Sequence, residues 1–171
     1  EIAAGAPASV ALTEEDGNWR LQEISATAVA TGDALILSGT KCFVLDARQA
    51  QVVVASVMLE GAARLIAIHA DQIPSGALAR EVVIDETRRS YTLQLDGISV
   101  PQSQLLAGAD FAALEQAAML LLVAEMSGGL AGVLHVIIDY LTTRKQFDQY
   151  IGSYQSLKHP SVQILLSLEA C

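Results

Sequence analysis

Charge, cysteine and proline are all scarce in this chain, and each scarcity removes an explanation. Charged residues make up 17% of the 171, and the formal net charge is −9. An acidic surplus repels phosphate, so a nucleic-acid backbone or an anionic membrane surface is excluded as the main partner. Two cysteines, Cys42 and Cys171, cannot build a disulfide framework. Cys42 lies in an apolar, strand-like run and Cys171 is the final residue, so both read as inert thiols. No signal peptide opens the sequence, which makes a reducing cytoplasm the expected compartment. His69, His135 and His159 stand far apart, with no HExxH and no Cys/His cluster, and no metal ligand set is expected. There is no G-x-S-x-G, no P-loop and no strand-borne G-x-G-x-x-G.

Apolar residues, by contrast, are abundant. They reach 52%, with a mean hydropathy of +0.41. That is rich for a soluble monomer and implies apolar surface covered by another chain or by a further part of this one. The sequence starts at Glu1 without Met and stops inside the amphipathic "HPSVQILLSLEAC", so it is expected to be a piece of a longer protein.

Two grammars divide it. Through residue 106 the pattern is β: 9–14, 23–30, 34–39, 41–47, 51–59, 64–70, 81–86 and 90–98 are β-branched or alternating. Gly, Pro, Asp and Ser punctuate them, as in "TGD", "DQIPSG" and "VPQSQ". Tyr91, Leu93 and Leu95 fall on one face of a half-buried strand. Short strands so closely spaced predict a small antiparallel barrel or sandwich over 1–106. The acidic run Glu14-Glu15-Asp16 reads as a solvated turn. From about Asp110 to Thr143 proline disappears and Leu114, Met119, Leu122, Met126, Leu130, Leu134 and Ile138 recur at helical spacing. Asp110 is a plausible N-cap, and Arg144 and Lys145 suit the negative end of the helix dipole.

The apolar stretch 117–138 is long enough to span a bilayer and holds a G-x-x-x-G pair, Gly128 and Gly132. Glu125, however, would lie near mid-bilayer at a cost of roughly 2.5–3.5 kcal/mol. A helix buried in a soluble bundle, with the glycines for close packing, is therefore expected rather than membrane insertion. A second helix is expected from His159-Pro160 with Val162, Ile164, Leu165 and Leu168 largely buried. The expected class is α+β: a β-domain over 1–106, then over 107–171 the first helices of a bundle.

Three segments carry a resemblance. "RKQFDQYIGSYQSLKH" (144–159) is similar to the R-x-Q-F-G-x-x-I-x-x-F-Q segment of the acyl-CoA dehydrogenase family, with Asp148 for glycine and Tyr154 for Phe. "ALTEEDG" (11–17) is similar to A-L-T-E-P-x-A-G. "LSGTKCFVLDARQAQVVVAS" (37–56) resembles the family's G-x-K-x-W/F segment. Together, in the family's order, they span nearly the whole sequence.

The resemblance implies a middle β-domain followed by the start of a C-terminal helical domain, with FAD as cofactor. It implies α,β-dehydrogenation of an acyl-CoA thioester, in fatty-acid or steroid side-chain breakdown, with electrons passed to an electron-transfer flavoprotein. A homo- or hetero-oligomer follows from it too. Thr13, with the backbone around Leu12, would bond the pyrimidine edge of the flavin, and Phe43 would pack beside the isoalloxazine. Arg144, Gln146 and Phe147 would reach the cofactor of a neighbouring subunit, with Gln155 close to it. An arginine's planar fork suits pyrophosphate. Without the resemblance, Arg144 and Lys145 read as helix-terminal cations and Phe147 as a staple.

Several positions depart from the family pattern. Leu45 stands where relatives place a Ser or Thr that bonds flavin N5, and leucine cannot do so. "DGNWRLQ" replaces a glycine-serine-aspartate tail. Leu120 lies near the position of an expected CoA-binding arginine. No catalytic residue can be named; the α-proton-abstracting carboxylate is expected beyond Cys171. These departures also fit a shared-site or non-catalytic structural subunit of a hetero-oligomeric dehydrogenase.

Overall fold

The computed structural model describes residues 2–108 and 110–170; Cys171, and so the reading of its thiol, lies outside them. The chain divides into two compact units, Glu1–Phe111 and Ala112–Cys171.

The first unit is built around β5 (Val52–Leu59). Its near-continuous apolar run suits burial on both faces, and Val53, Ala55, Ser56 and Val57 are fully buried. β6 (Ala62–His69) pairs antiparallel along one edge of β5, through a two-residue turn. Glu60 and Gly61 both have positive φ there, as the twist of a tight hairpin requires. Along the other edge β1 (Ala8–Ala11) runs parallel to β5, and β2 (Thr27–Thr31) joins it in parallel through Thr27 and Met58. β3 (Ala34–Ser38) and β9 (Ser99–Pro101) complete this sheet antiparallel. A three-stranded antiparallel sheet holds β4 (Thr40–Leu45), β8 (Ser90–Gln94) and β7 (Leu78–Arg80). Pairing is thus mainly antiparallel, with the parallel ladders confined to β5. Leu35, Leu37, Val44, Ile66, Ile68, Leu93, Leu95 and Val100 are fully buried within one core. The alternation of Tyr91, Leu93 and Leu95 faces into it.

Three strand expectations need correction. The stretch 81–86 is not a strand: β7 ends at Arg80, and Val82 and Ile84 are fully exposed in the turn that follows. The strand expected over 23–30 starts at Thr27, because the amides of Ser25 and Ala26 donate to the Glu14 carboxylate rather than to a ladder. "VPQSQ" is more than punctuation, since it supplies β9 and a short 3-10 turn, Gln102–Gln104.

In the second unit α1 (Phe111–Thr143) occupies the expected span, 33 residues or about 50 Å. Its expected burial is not met within this chain. Leu120 and Leu121 are each 71% exposed, and Phe111 and Leu134 are the buried apolar side chains of α1. Added Cβ atoms at Gly128, Gly129 and Gly132 would meet open space. By length and composition α1 could also cross a membrane, with a mean hydropathy of 1.9 over an 18-residue window.

After α1 come β10 (Lys145–Gln146) and β11 (Gln149–Tyr150), which form a small antiparallel hairpin, then a 3-10 turn and α2 (Gln155–Glu169). Gly152 is needed here, since a Cβ would lie 2.8 Å from the Leu141 carbonyl oxygen. The second helix begins four residues earlier than the Pro160 reading implies. Its first turn closes on the Tyr154 carbonyl, which accepts from Leu157 and Lys158 N–H at 3.1 Å each, and Pro160 lies inside the helix. Val162 and Leu165 are exposed, and Ile164 and Leu168 only half-buried, because the described residues offer that apolar stripe no partner.

Candidate functional site

The sequence-predicted positions fall into two groups, one in each unit. In the β-unit, Leu12, Thr13, Phe43 and Leu45 come together where β1 and its continuation run beside β4. Cys42 N–H donates to the Thr13 carbonyl at 2.9 Å, an isolated antiparallel bridge between the two segments. Ser9 Oγ donates to the Leu45 carbonyl across the same seam. The Thr13 side chain is only half-buried.

Phe43 sits in a β-bulge. The β4–β8 register shifts between Lys41 and Val44, so Cys42 and Phe43 leave the ladder. Phe43 has φ 57°, a left-handed conformation uncommon for a bulky residue. The bulge turns its side chain outward, leaving it 55% exposed while Val44 beside it is fully buried. Leu45 and Val10 are exposed as well. Along this seam an aromatic ring and two aliphatic side chains are thus exposed, and the threonine is half-buried.

Beneath it lies a buried polar network that reading the sequence missed. Glu14 is buried rather than solvated. Its carboxylate accepts from Lys41 Nζ at 2.7 Å, Ser25 N–H at 2.9 Å, Ala26 N–H at 3.0 Å and the Ser25 hydroxyl. Lys41 is fully buried and also donates to Ser56 Oγ at 2.9 Å. Ser56 in turn contacts the Leu12 carbonyl at 3.5 Å. Burial pushes the Glu14 pKa up, but the bonds from Lys41, Ser25 and the Ala26 and Ser25 amides outweigh it and bring it from 4.5 to about 2. Burial lowers the Lys41 pKa, and Glu14 opposes that shift. The pair closes the neck of the loop 15–25 and fixes the backbone on which Leu12 and Thr13 sit. The signal available in the sequence was a lysine inside an apolar strand, where an unpaired charge would be costly.

In the helical unit, Arg144, Gln146, Phe147 and Gln155 cluster at the end of α1. Arg144 N–H still bonds the Tyr140 carbonyl at 2.9 Å, and its guanidinium lies 5.7 Å from the Tyr140 ring centroid. Lys145 Nζ stands 4.7 Å from the centre of the Tyr150 ring. Phe147 and Asp148 form the hairpin tip with φ 53° and 61°, the pattern of a two-residue turn usually given to Asn-Gly. Phe147 is 88% exposed and staples nothing. Tyr154 Oη donates to the Gln146 carbonyl at 3.1 Å and braces the hairpin against the start of α2, where Gln155 is exposed. The arginine, the amide and the aromatic ring are all available to a partner surface. No group of three or more possible metal ligands occurs among the described residues.

A β-sheet unit followed by one long helix and a second helix matches the fold of the middle and C-terminal domains of acyl-CoA dehydrogenases. The chain resembles curated members in sequence and matches solved ones in fold along nearly all of its length. No family model matches it. It is 28% identical over 171 residues to acyl-CoA dehydrogenase FadE12 of Mycobacterium tuberculosis (strain ATCC 25618 / H37Rv), covering 93% of this chain and 44% of that protein. It is 29% identical over 175 residues to the L-prolyl-[peptidyl-carrier protein] dehydrogenase of Serratia sp. (strain ATCC 39006), covering 96% and 45%. A glutaryl-CoA dehydrogenase from Mycobacterium smegmatis, solved in complex with FADH2, superposes with a TM-score of 0.83 at 22% identity, over 97% of this chain and 44% of that one. The chain thus spans less than half the length of the relatives it matches.

Proposed function

We propose that this chain is the middle β-domain and the first bundle helices of an FAD-dependent acyl-thioester dehydrogenase. The observation that carries the reading is the β1–β4 seam, where a bulge sets Phe43 outward one residue from the Thr13–Cys42 bridge. These residues fit a flavin. A flat ring set outward by the bulge can pack beside an isoalloxazine, and the Thr13 hydroxyl can bond the polar edge of a pyrimidine ring. Leu45 cannot bond N5 through its side chain, so any bond there would come from backbone N–H. When bound, FAD supplies the hydride acceptor.

The chain's own residues bind and orient. Thr13 and Phe43 would hold the ring system, and the buried Glu14–Lys41 pair keeps Leu12 and Thr13 in place. Arg144, Gln146 and Phe147, exposed at the helix-end hairpin, would reach the cofactor of another subunit, where the Arg144 fork would suit phosphate and Gln155 would lie nearby. The substrate is a thioester, acyl-CoA being the first choice. The carboxylate that takes the α-proton lies outside the described residues. Electrons pass to an electron-transfer flavoprotein, and a reducing cytoplasm is the proposed location.

Leu45 favours a second reading, in which this chain lends its hairpin to flavin held mainly by a homologous partner. The visible spectrum of the full-length protein separates the two. About one flavin per chain supports self-sufficient binding, and bleaching of that band by an acyl-CoA under anaerobic conditions supports the dehydrogenation. Flavin acquired only with a second homologous chain supports the shared site. No flavin under either condition overturns both.

A further inference from the structure

Phe43 occupies a conformation that the strand alone does not maintain, and a single carboxylate outside β4 holds it. The register break between Lys41 and Val44 leaves the Phe43 N–H without a ladder partner, while φ 57° is a left-handed conformation disfavoured in an L-residue with a bulky side chain. Such a backbone persists only where its surroundings hold it. Glu81 Oε1 accepts the Phe43 N–H at 3.2 Å. The same carboxylate accepts from Thr92 Oγ1 at 2.7 Å and Ser90 Oγ at 2.5 Å, both on β8, the strand from which the bulge departs. Glu81 N–H donates to the Ser90 carbonyl at 3.0 Å, so the residue is anchored at both its main chain and its side chain. Burial pushes the Glu81 pKa up, but the bonds from Ser90, Thr92 and Phe43 outweigh it and leave it below its ordinary value.

We propose that Glu81 is the positioning residue for Phe43: its carboxylate fills the gap that the bulge opens between β4 and β8 and sets the direction of the aromatic ring. The inference rests on the flavin reading for its functional consequence, and on the geometry alone for its structural one. The turn after Glu81 is consistent with this role. Val82 and Ile84 project into solvent and supply no packing of their own, so Glu81, through its N–H and its carboxylate together, ties the start of this segment to the sheet.

The test uses the full-length protein and the variants Glu81→Ala, Glu81→Gln, Phe43→Ala and the Glu81→Ala/Phe43→Ala double variant. Titration with FAD is expected to show affinity about tenfold weaker for Glu81→Ala, the scale of one lost charge-assisted hydrogen bond. The fine structure of the visible flavin band should change with it. Glu81→Gln keeps the Oε1 acceptor and should recover most of the loss, while Glu81→Ala should add nothing in the Phe43→Ala background. Amide exchange provides a readout that needs no flavin: the Phe43 N–H should exchange at least tenfold faster in Glu81→Ala while β5 and β6 amides stay protected. If Glu81→Ala does not fold, Thr92→Val removes one bond that orients the carboxylate and should shift the Phe43 amide in the same direction by a smaller factor. Unchanged Phe43 exchange, or losses from Glu81 and Phe43 that simply add, would overturn the positioning role. A wild-type protein that binds no FAD overturns the flavin reading alone, and the exchange result then decides the role of Glu81.

Discussion

The two units treat apolar residues in opposite ways. In the β-unit, Leu35, Leu37, Ile66, Ile68, Leu93 and Val100 show no solvent exposure, and even the lysine of β4 is enclosed with its ion partner. In the helical unit, side chains just as apolar stand in solvent along α1 and α2. A sheet folded over itself supplies both sides of its own core. One long helix and one short helix supply no such second side, and their apolar side chains stay exposed among the described residues. The β-unit is therefore stabilised by its own contacts, whereas the described residues leave the apolar side chains of the helical unit largely uncovered.

The sharpest way to break this comparison is inside the β-unit. Lys41→Met leaves the Glu14 carboxylate buried beside Ser25 and Ala26 without its cation, with an expected loss of about 3–5 kcal/mol. Denaturant unfolding of the full-length protein measures it. A loss under 1 kcal/mol would mean that Glu14 reaches water. Acid makes a related prediction. Glu14 has a folded pKa of about 2 against an ordinary 4.5, so its stabilisation is present above the ordinary value and fades as pH falls from there towards 2. The total is about 3 kcal/mol at most, read from unfolding midpoints across that range, and Lys41→Met should flatten the profile.

The helical unit is tested next. Leu121→Ala would cost little if α1 were as open as it is in this chain alone. If a bundle covers it in the full-length protein, the expected loss is about 2–3 kcal/mol, read as a lower Tm. The smallest effect is at the hairpin tip. Asp148→Gly relieves a positive φ and should stabilise by about 0.5–1 kcal/mol, measured by denaturation. A destabilisation there would show that Asp148 makes a contact worth more than its strain.

Much of this was legible beforehand, for identifiable reasons. α1 was readable to within a residue because helical periodicity over so many turns admits one reading and no proline interrupts it. Val52–Leu59 was equally plain, since a valine-rich, nearly continuous apolar run between Gln51 and Glu60 suits a central strand. The region after Arg80 was misleading: "EVVIDE" has strand composition, but no ladder is open to it and the chain turns away. Pro160 misplaced the start of α2 because a proline signals a helix's first turn locally, while the brace from Tyr154 to Gln146 lies outside that window.

The site divides along the same line. Which residues stand near one another in sequence, Leu12 with Thr13, Phe43 with Leu45 and Arg144 through Phe147, was set by the chain alone, together with the periodicities that make one half sheet and the other helix. Only the tertiary structure decided that Glu14 is buried, that Lys41 meets it across 27 positions, and that Glu81 holds the Phe43 amide from 38 positions away. Spacing in a sequence encodes local geometry. The fate of a carboxylate, solvated or enclosed, depends on donors that arrive from distant segments once the sheets have packed.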